Sequence, residues 1–250
     1  MNSKKTIEHC IYGINNVLNL ISLKDKYTIN SIYILKNSQA DSLEKIKKNK
    51  NLINIIYLDK DSFRKRFNFK HNQGIVAFFQ FKFLYNFNFN NNNADKNFCY
   101  VIIDRIHDPQ NLGQIIRTCE CAGIDGIILP RHESVHITDR VLQISQGAFL
   151  NIDIFIVPNL TRLILNLKKL DFWIIGMENS VKADRWYSID YSKKVAIVFG
   201  SEGGGIRRLV KDSCDFLATI PMQGTVNSLN ISAAVSAVLF ERNRQISLKD

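Results

Sequence analysis

The chain has 250 residues, 46% of them hydrophobic, enough to bury a core in one large domain or two ordinary ones. No apolar run approaches the roughly 18 residues of a membrane span, and MNSKKTIEHC at the N-terminus lacks a signal-type apolar segment, so a cytoplasmic protein is expected, without membrane partner or export. The net charge of +10 points to a polyanionic partner, and it is unevenly held: residues 1–97 carry 16 Lys/Arg against 7 Asp/Glu, residues 98–250 carry 17 against 16.

In chain order, strand candidates SIYIL (31–35), INIIYL (53–58) and GIVAFFQF (74–81) alternate with helical stretches near 13–23 and 38–50. This predicts a small α/β domain over residues 1–82. FLYNFNFNNNNADKN, residues 83–97, is asparagine-rich and without helical period, as an exposed linker would be. Beyond it, over 98–250, strands are expected at 99–106, 126–130, 153–158, 172–178, 194–200 and 216–222. Helices are expected at 111–122, 137–149, 159–170, 206–213 and 229–244. Alternation of nearly all-apolar strands with helices predicts a parallel sheet covered on both faces. Ligands on such sheets bind beyond the carboxyl ends of the strands. The loops after 99–106, 194–200 and 216–222 are therefore the informative ones.

The first loop reads DRIHDPQNLGQIIRTCECAG. Asp108 or Asn111 can cap its helix, and Arg117, six residues beyond Asn111, is placed nearly two turns further along one side. A lone arginine on a helix is more often a solvated side chain than a catalytic one. The second loop, in VAIVFGSEGGGIRRL (195–209), suggests a phosphate cradle, but Glu202 sits inside it and neither a P-loop nor G-x-G-x-x-G can be drawn through it. A ligand with a nucleoside and a positive charge, but no phosphate, fits better. In the third, IPMQGTVNSLNISAAVSAVLFE, Ser228 or Asn227 begins a helix rich in small residues. Asn230 lies in its first turn, where an amide is more often a cap than a ligand. The five cysteines form no C-x-x-C pair and read as reduced, buried thiols. The five histidines show no ligand spacing with acids, so no metal is expected.

Taken in order, N-L-G-x-x-x-R, F-G-S-E-G-x-G and I-P-M-x-G-x-V-x-S-L-N-I-S resemble the three motifs of the SpoU branch of the SPOUT methyltransferases (the TrmH family). The resemblance implies S-adenosylmethionine as methyl donor, an RNA ribose 2′-hydroxyl as acceptor, a homodimer, and a C-terminal trefoil knot, a rare exception to unknotted topology. It also implies that Gly200, Gly205, Ile220, Met222 and Leu229 hold the cofactor, and that Arg117, Asn111, Glu202, Ser228 and Asn230 form the catalytic set. IYGINNVLNL, SIYILK and H-x-Q-G-I-V-A (71–77) are similar to the ribosomal-protein-like RNA-gripping domain of ribosomal-RNA guanosine 2′-O-methyltransferases, which implies a guanosine of 23S rRNA as target. Because His107 and Asn72 depart from that pattern, a transfer-RNA or another ribosomal-RNA site stays open. A regulatory nucleotide-binding protein, or a non-catalytic RNA-binding relative, is the rival class. The motif residues standing together argue against a dead relative. A base methyltransferase is the enzymatic rival, but no Pro-Cys nucleophile or D-P-P-Y loop occurs.

Overall fold

The computed structural model describes residues 7–81, 84, 87, 97–180, 183–201 and 203–249; Glu202 and most of segment 83–97 lie outside them. Two compact units emerge, one from residues up to 82 together with 137–150, the other from 83–136 together with 151–250.

The first unit contains β1 (Ile7–Tyr12), α1 (Ile14–Ser22), β2 (Thr28–Leu35), α2 (Glu44–Lys48), β3 (Ile55–Leu58), α3 (Lys60–Arg66) and β4 (Ile75–Phe81). Its sheet runs β1-β4-β2-β3, with β4 antiparallel to both neighbours and β2 parallel to β3. Because side chains alternate along a strand, Ile11, Ile32, Ile34, Ile75, Ala77 and Phe79 share one face. Tyr33 and Val76 share the other, with partly buried Cys10, Tyr12, Leu35, Ile56, Leu58 and Phe78, under Phe63 and Phe67. Sequence periodicity misses β1 and α3. In β1 a buried position is held by polar His9, which hides the alternation; in α3 Phe63 is the sole buried residue, so no apolar stripe exists. What marks α3 instead is its cap, Asp59, whose side chain accepts from the Ser62 N–H at 2.9 Å.

The chain continues through β5 (Cys99–Asp104), α4 (Pro109–Cys121), β6 (Gly126–Pro130) and α5 (Asp139–Ile144). Here the structure departs from the expected 98–250 boundary, because 137–150 packs with the first unit. The Tyr12 N–H donates to Gln143 Oε1, and Gln143 Nε2 donates back to the Tyr12 carbonyl, each at 3.0 Å. His9 Nδ1 lies 2.8 Å from Asp139 Oδ1, and Phe149 packs on Phe79 and Phe81 at centroid distances of 5.8 and 5.4 Å. These partners are more than a hundred residues away in sequence, so no local pattern announces them. The expected helix 137–149 also stops early, where Gln146 and Gly147 adopt φ of 55° and 86°.

The second unit adds β7 (Asp153–Val157), α6 (Leu160–Lys168), β8 (Trp173–Met177), β9 (Asp184–Arg185), β10 (Val195–Gly200), α7 (Arg208–Lys211), β11 (Phe216–Thr219) and α8 (Ile231–Ser247). The strand order is β7-β6-β5-β10-β8-β11-β9, and every pairing is parallel, as expected from the apolar strands. Late in sequence, β10 nevertheless lies between β5 and β8. Its register sets Gly200 beside Asp104 and Phe199 beside Met177, while β11 sets Ala218 beside Met177. Four strands thus end nearly level, and their following loops open at one end of the sheet.

Among the described residues no helix is long and apolar enough to cross a membrane, and no cluster of His, Cys, Asp and Glu could hold a metal. The cysteines are all free, but Cys121 is exposed, unlike the expected buried set. Burial pushes the Cys10, Cys99 and Cys214 thiols up to about 12, which leaves little thiolate for nucleophilic chemistry.

Candidate active site

At the end of β10 the chain folds back on itself. Ser201 and Gly205 exchange backbone bonds of 3.1 and 3.0 Å, and Gly203 and Gly205 take φ of 91° and 59°. Such a turn suits glycine. At Gly200 the constraint is steric, since a Cβ there would lie 2.1 Å from the Gly205 carbonyl carbon. From neighbouring β5, fully buried Asp104 fixes the loop's exit: its carboxylate accepts from the Arg207 backbone N–H at 2.7 Å and from Arg207 Nε at 2.8 Å. A buried carboxylate needs such a partner, and Arg207 supplies both charge and hydrogen bonds.

Over the ends of β8, β10 and β11 lies a cleft of about 710 Å³. Met177, Phe199, Ala218, Ile220, Leu229 and Ile231 give it apolar walls, and the glycine loop gives it exposed backbone. Glu178 also lines it, with Oε1 3.7 Å from Lys211 Nζ and Oε2 buried with no hydrogen-bond partner among the described residues. That oxygen is an acceptor in the wall of the cleft. Asn179 Nδ2 donates to the Asn227 carbonyl, which ties the loop after β8 to the one after β11.

Asn230 is the cap, and it also reaches the first motif. Its Oδ1 caps α8, accepting from the Ser232 N–H at 2.8 Å, while Nδ2 donates to Asn111 Oδ1 at 3.0 Å. The cap of α8 is therefore Asn230, not Ser228 or Asn227. On α4 the cap is Asp108, which accepts from the Gln110 N–H at 2.8 Å and leaves Asn111 to bond Asn230. Asn111 is buried and lines a second cavity of about 250 Å³, beside Arg105, His107 and Asp108. The two cavities meet at Ser201 and Ile231.

Of the residues singled out from sequence, Gly200, Gly205, Ile220, Met222, Ser228, Leu229 and Asn230 line the cleft and Asn111 the adjoining cavity. Glu202 lies outside the described residues. Arg117 is exposed on α4, lines neither cavity and makes no hydrogen bond or ion pair with a described residue. Six helical steps rotate a side chain to roughly 120° away from its start, so Asn111 and Arg117 do not share a side after all. Sequence reasoning missed Glu178, Asn179, Arg105 and Arg207. The first two stand directly after β8, so the strand-end rule applied to FWIIGME would have found them. Arg105 follows β5 with φ of 73° and a buried Nε that has no hydrogen-bond partner among the described residues.

The model of the SpoU rRNA Methylase family matches residues 99–240, more than half of the chain. The chain belongs to that family. A Staphylococcus saprophyticus protein assigned to the TrmH family of tRNA/rRNA methyltransferases is 37% identical to this SpoU family member over 221 residues, covering 86% of this chain and 88% of the relative. The SpoU methyltransferase AviRb of Streptomyces viridochromogenes, solved in complex with the cofactor AdoMet, matches with a TM-score of 0.77 at 18% identity, over 97% of this chain and 92% of that one. An AdoMet-bound rRNA methyltransferase from Sinorhizobium meliloti matches with a TM-score of 0.76 at 22% identity, over 96% and 88%. At these identities the two structures speak for the shared fold.

Proposed function

We propose that this SpoU family protein is an S-adenosylmethionine-dependent methyltransferase acting on a ribose 2′-hydroxyl of RNA, its target a guanosine in the peptidyl-transferase region of 23S rRNA. The observation that carries this reading is the Asn230–Asn111 bond beside the glycine loop, which joins the first and third motif segments across 119 residues. The cleft suits the donor chemically: apolar walls accept an adenine face, loop backbone offers edge contacts, and the Glu178 carboxylate in its wall welcomes hydroxyl or cationic groups while disfavouring a phosphate. Gly200, Gly205, Ile220, Met222 and Leu229 would hold it, with Glu202, Ser228 and Asn230 shaping the site. When bound, the donor supplies an electrophilic methyl group on a sulfonium.

Arg117 is not assigned as the base, because a guanidinium offers donors and no acceptor. Its role is to anchor the adjacent phosphate, orient the hydroxyl and stabilise developing oxyanion charge, with Asn111 helping placement. Exposure of Arg117 outside its own chain's cavities supports a homodimer in which each α4 serves the partner's cleft. Along α8, Ala233 and Phe240 are exposed while Val235, Val238 and Leu239 are buried, leaving apolar surface for such an interface. The place of β10 between β5 and β8 supports a threaded C-terminal portion, a trefoil knot. The basic excess of residues 1–97 supports an RNA-gripping, ribosomal-protein-like first unit in a cytoplasmic enzyme. A transfer-RNA target is the second reading, favoured by the assignment of the staphylococcal relative to tRNA/rRNA methyltransferases. Ribose-methylation mapping of total RNA with and without the protein tests both: one lost 2′-O-methylguanosine in 23S rRNA is expected, a lost site in tRNA moves the target, and an unchanged map overturns the enzyme.

A further inference from the structure

We infer that the first unit carries a stacking site for an unpaired RNA base, with the ring of Phe69 as its floor. The inference rests on the RNA reading above and names a contact point on the first unit. Phe69 follows α3; Phe63 on that helix and Phe67 just beyond its end are buried at 2% and 3% exposure, yet Phe69 itself is 40% exposed. Its ring lies parallel to that of Tyr12, with centroids 4.8 Å apart and 9° between planes. Tyr12 therefore backs one face of Phe69, the Phe67 ring stands beside it with centroids 6.4 Å apart, and the exposed part of the ring is left for a ligand.

The loop that presents this ring is held firmly. Asn72 Nδ2 donates to the Phe69 carbonyl at 2.9 Å, Asn72 Oδ1 accepts from the Gly74 N–H at 2.9 Å, and Gln73 Oε1 accepts from the Ile14 N–H at 2.7 Å. His71 and Gln73 take φ of 62° and 53°, backbone positions that side chains other than glycine adopt only when the surroundings insist. Asn72, which interrupts the His-Gln-Gly pattern, is thus the residue that ties the loop under Phe69. An apolar ring fixed outward by several hydrogen bonds is poorly explained as core filling.

Charge identifies the occupant. Between residues 60 and 71 stand Lys60, Arg64, Lys65, Arg66 and Lys70 against the single acid Asp61. Arg64, Lys65, Arg66 and Lys70 are exposed, and Arg66 is braced with its guanidinium carbon 4.4 Å over the Tyr33 ring. Cations that track phosphates, interleaved with an aromatic face, are the combination single-stranded nucleic acid requires. A duplex keeps its bases stacked on one another and has no face to offer.

The test measures binding of the full-length protein to a short unstructured RNA and to a paired RNA duplex, by fluorescence anisotropy across a salt series. Phe69→Ala should weaken single-strand binding by about 5- to 160-fold, the range that alanine gives at stacking sites. Its salt slope should stay unchanged, because no charge is lost, and duplex binding should hold. Phe69→Tyr should restore affinity, and Lys70→Ala should instead flatten the salt slope. Wild-type single-strand affinity in Phe69→Ala, or equal losses for strand and duplex, would overturn the site. So would Phe69→Leu matching wild type, since leucine keeps the apolar cover without a π face. A loss of affinity for an acidic peptide as large as that for RNA would reassign the ring to a protein partner. The methylation map and S-adenosylmethionine binding are independent readouts, so a failed enzyme reading and a failed stacking site give different results.

Discussion

The sheet of the second unit is parallel throughout, whereas the first unit mixes directions around β4. In a parallel sheet every strand delivers its following loop to the same end, so short segments far apart in sequence converge on one cleft. The loops after β8, β10 and β11 do so, the loop after β5 lines the adjoining cavity, and residues 98–250 as a whole nearly balance their charge. Antiparallel β4 sends its loops to opposite ends, and the first unit gathers no comparable set. Instead it offers a basic, partly aromatic surface. Chemistry that needs a few fixed atoms is concentrated where loops converge, and recognition of a long polyanion is spread where charge can be displayed.

The strongest test of that division is Gly200→Ala. A Cβ 2.1 Å from backbone has no flexible neighbour to displace, so the glycine loop itself must move. Overpacking of this kind costs a few kcal/mol, and S-adenosylmethionine affinity should fall on the order of 100-fold or more by calorimetry. RNA affinity should be nearly unchanged. A parallel loss of RNA binding would mean that the second unit, not the first, holds the RNA.

Next in size is Arg117→Lys, which keeps charge but loses the planar fork. Single-turnover methylation should slow by about 100-fold, the usual cost of removing one oriented charge-stabilising donor, with cofactor affinity little changed. Near-native chemistry in the lysine variant would remove Arg117 from the mechanism. Mixing this variant with one defective only in the cleft sharpens the point: recovered turnover in mixed dimers is expected if Arg117 serves the partner subunit.

The same contrast explains what could be read from sequence. Strands such as VAIVFG and GIILP are buried on both faces and therefore written as uninterrupted apolar runs. The glycine loop and the Asn230 segment were legible because backbone geometry and capping restrict residue type locally. Arg117 was misplaced on its helix by an error of phase. Asp104, Arg207 and Glu178 owe their roles to neighbours brought together only by the sheet. In the first unit His9 occupies a core position because Asp139 meets it, and residues 137–150 join that unit through contacts no local pattern encodes. Deleting residues 1–97 would consequently strip the partners from Phe149 and Leu150 as well as removing charge. Point substitutions separate recognition from folding more cleanly than truncation does.

The smallest expected effect sharpens the first unit's side of the comparison. Asp59 accepts from both the backbone N–H and the hydroxyl of Ser62 at 2.9 Å, and these bonds, the backbone one foremost, hold its carboxyl below the ordinary value of 3.8. Since the folded value is the lower one, this stabilisation is present above the ordinary aspartate range and is lost as pH falls through the depressed value. Asp59→Ala should therefore lower the melting temperature slightly at neutral pH, with the gap to wild type closing in acid. Asp59→Asn keeps a capping oxygen and should melt between the two at neutral pH. Because α3 leads directly into the loop that holds Phe69, the alanine variant should also weaken single-strand RNA binding, by less than Phe69→Ala does, while leaving S-adenosylmethionine binding untouched. A melting gap that persists unchanged below the aspartate range would show that the Asp59 carboxylate is not what holds the start of α3, and an RNA affinity equal to wild type would uncouple that helix from the ring it precedes.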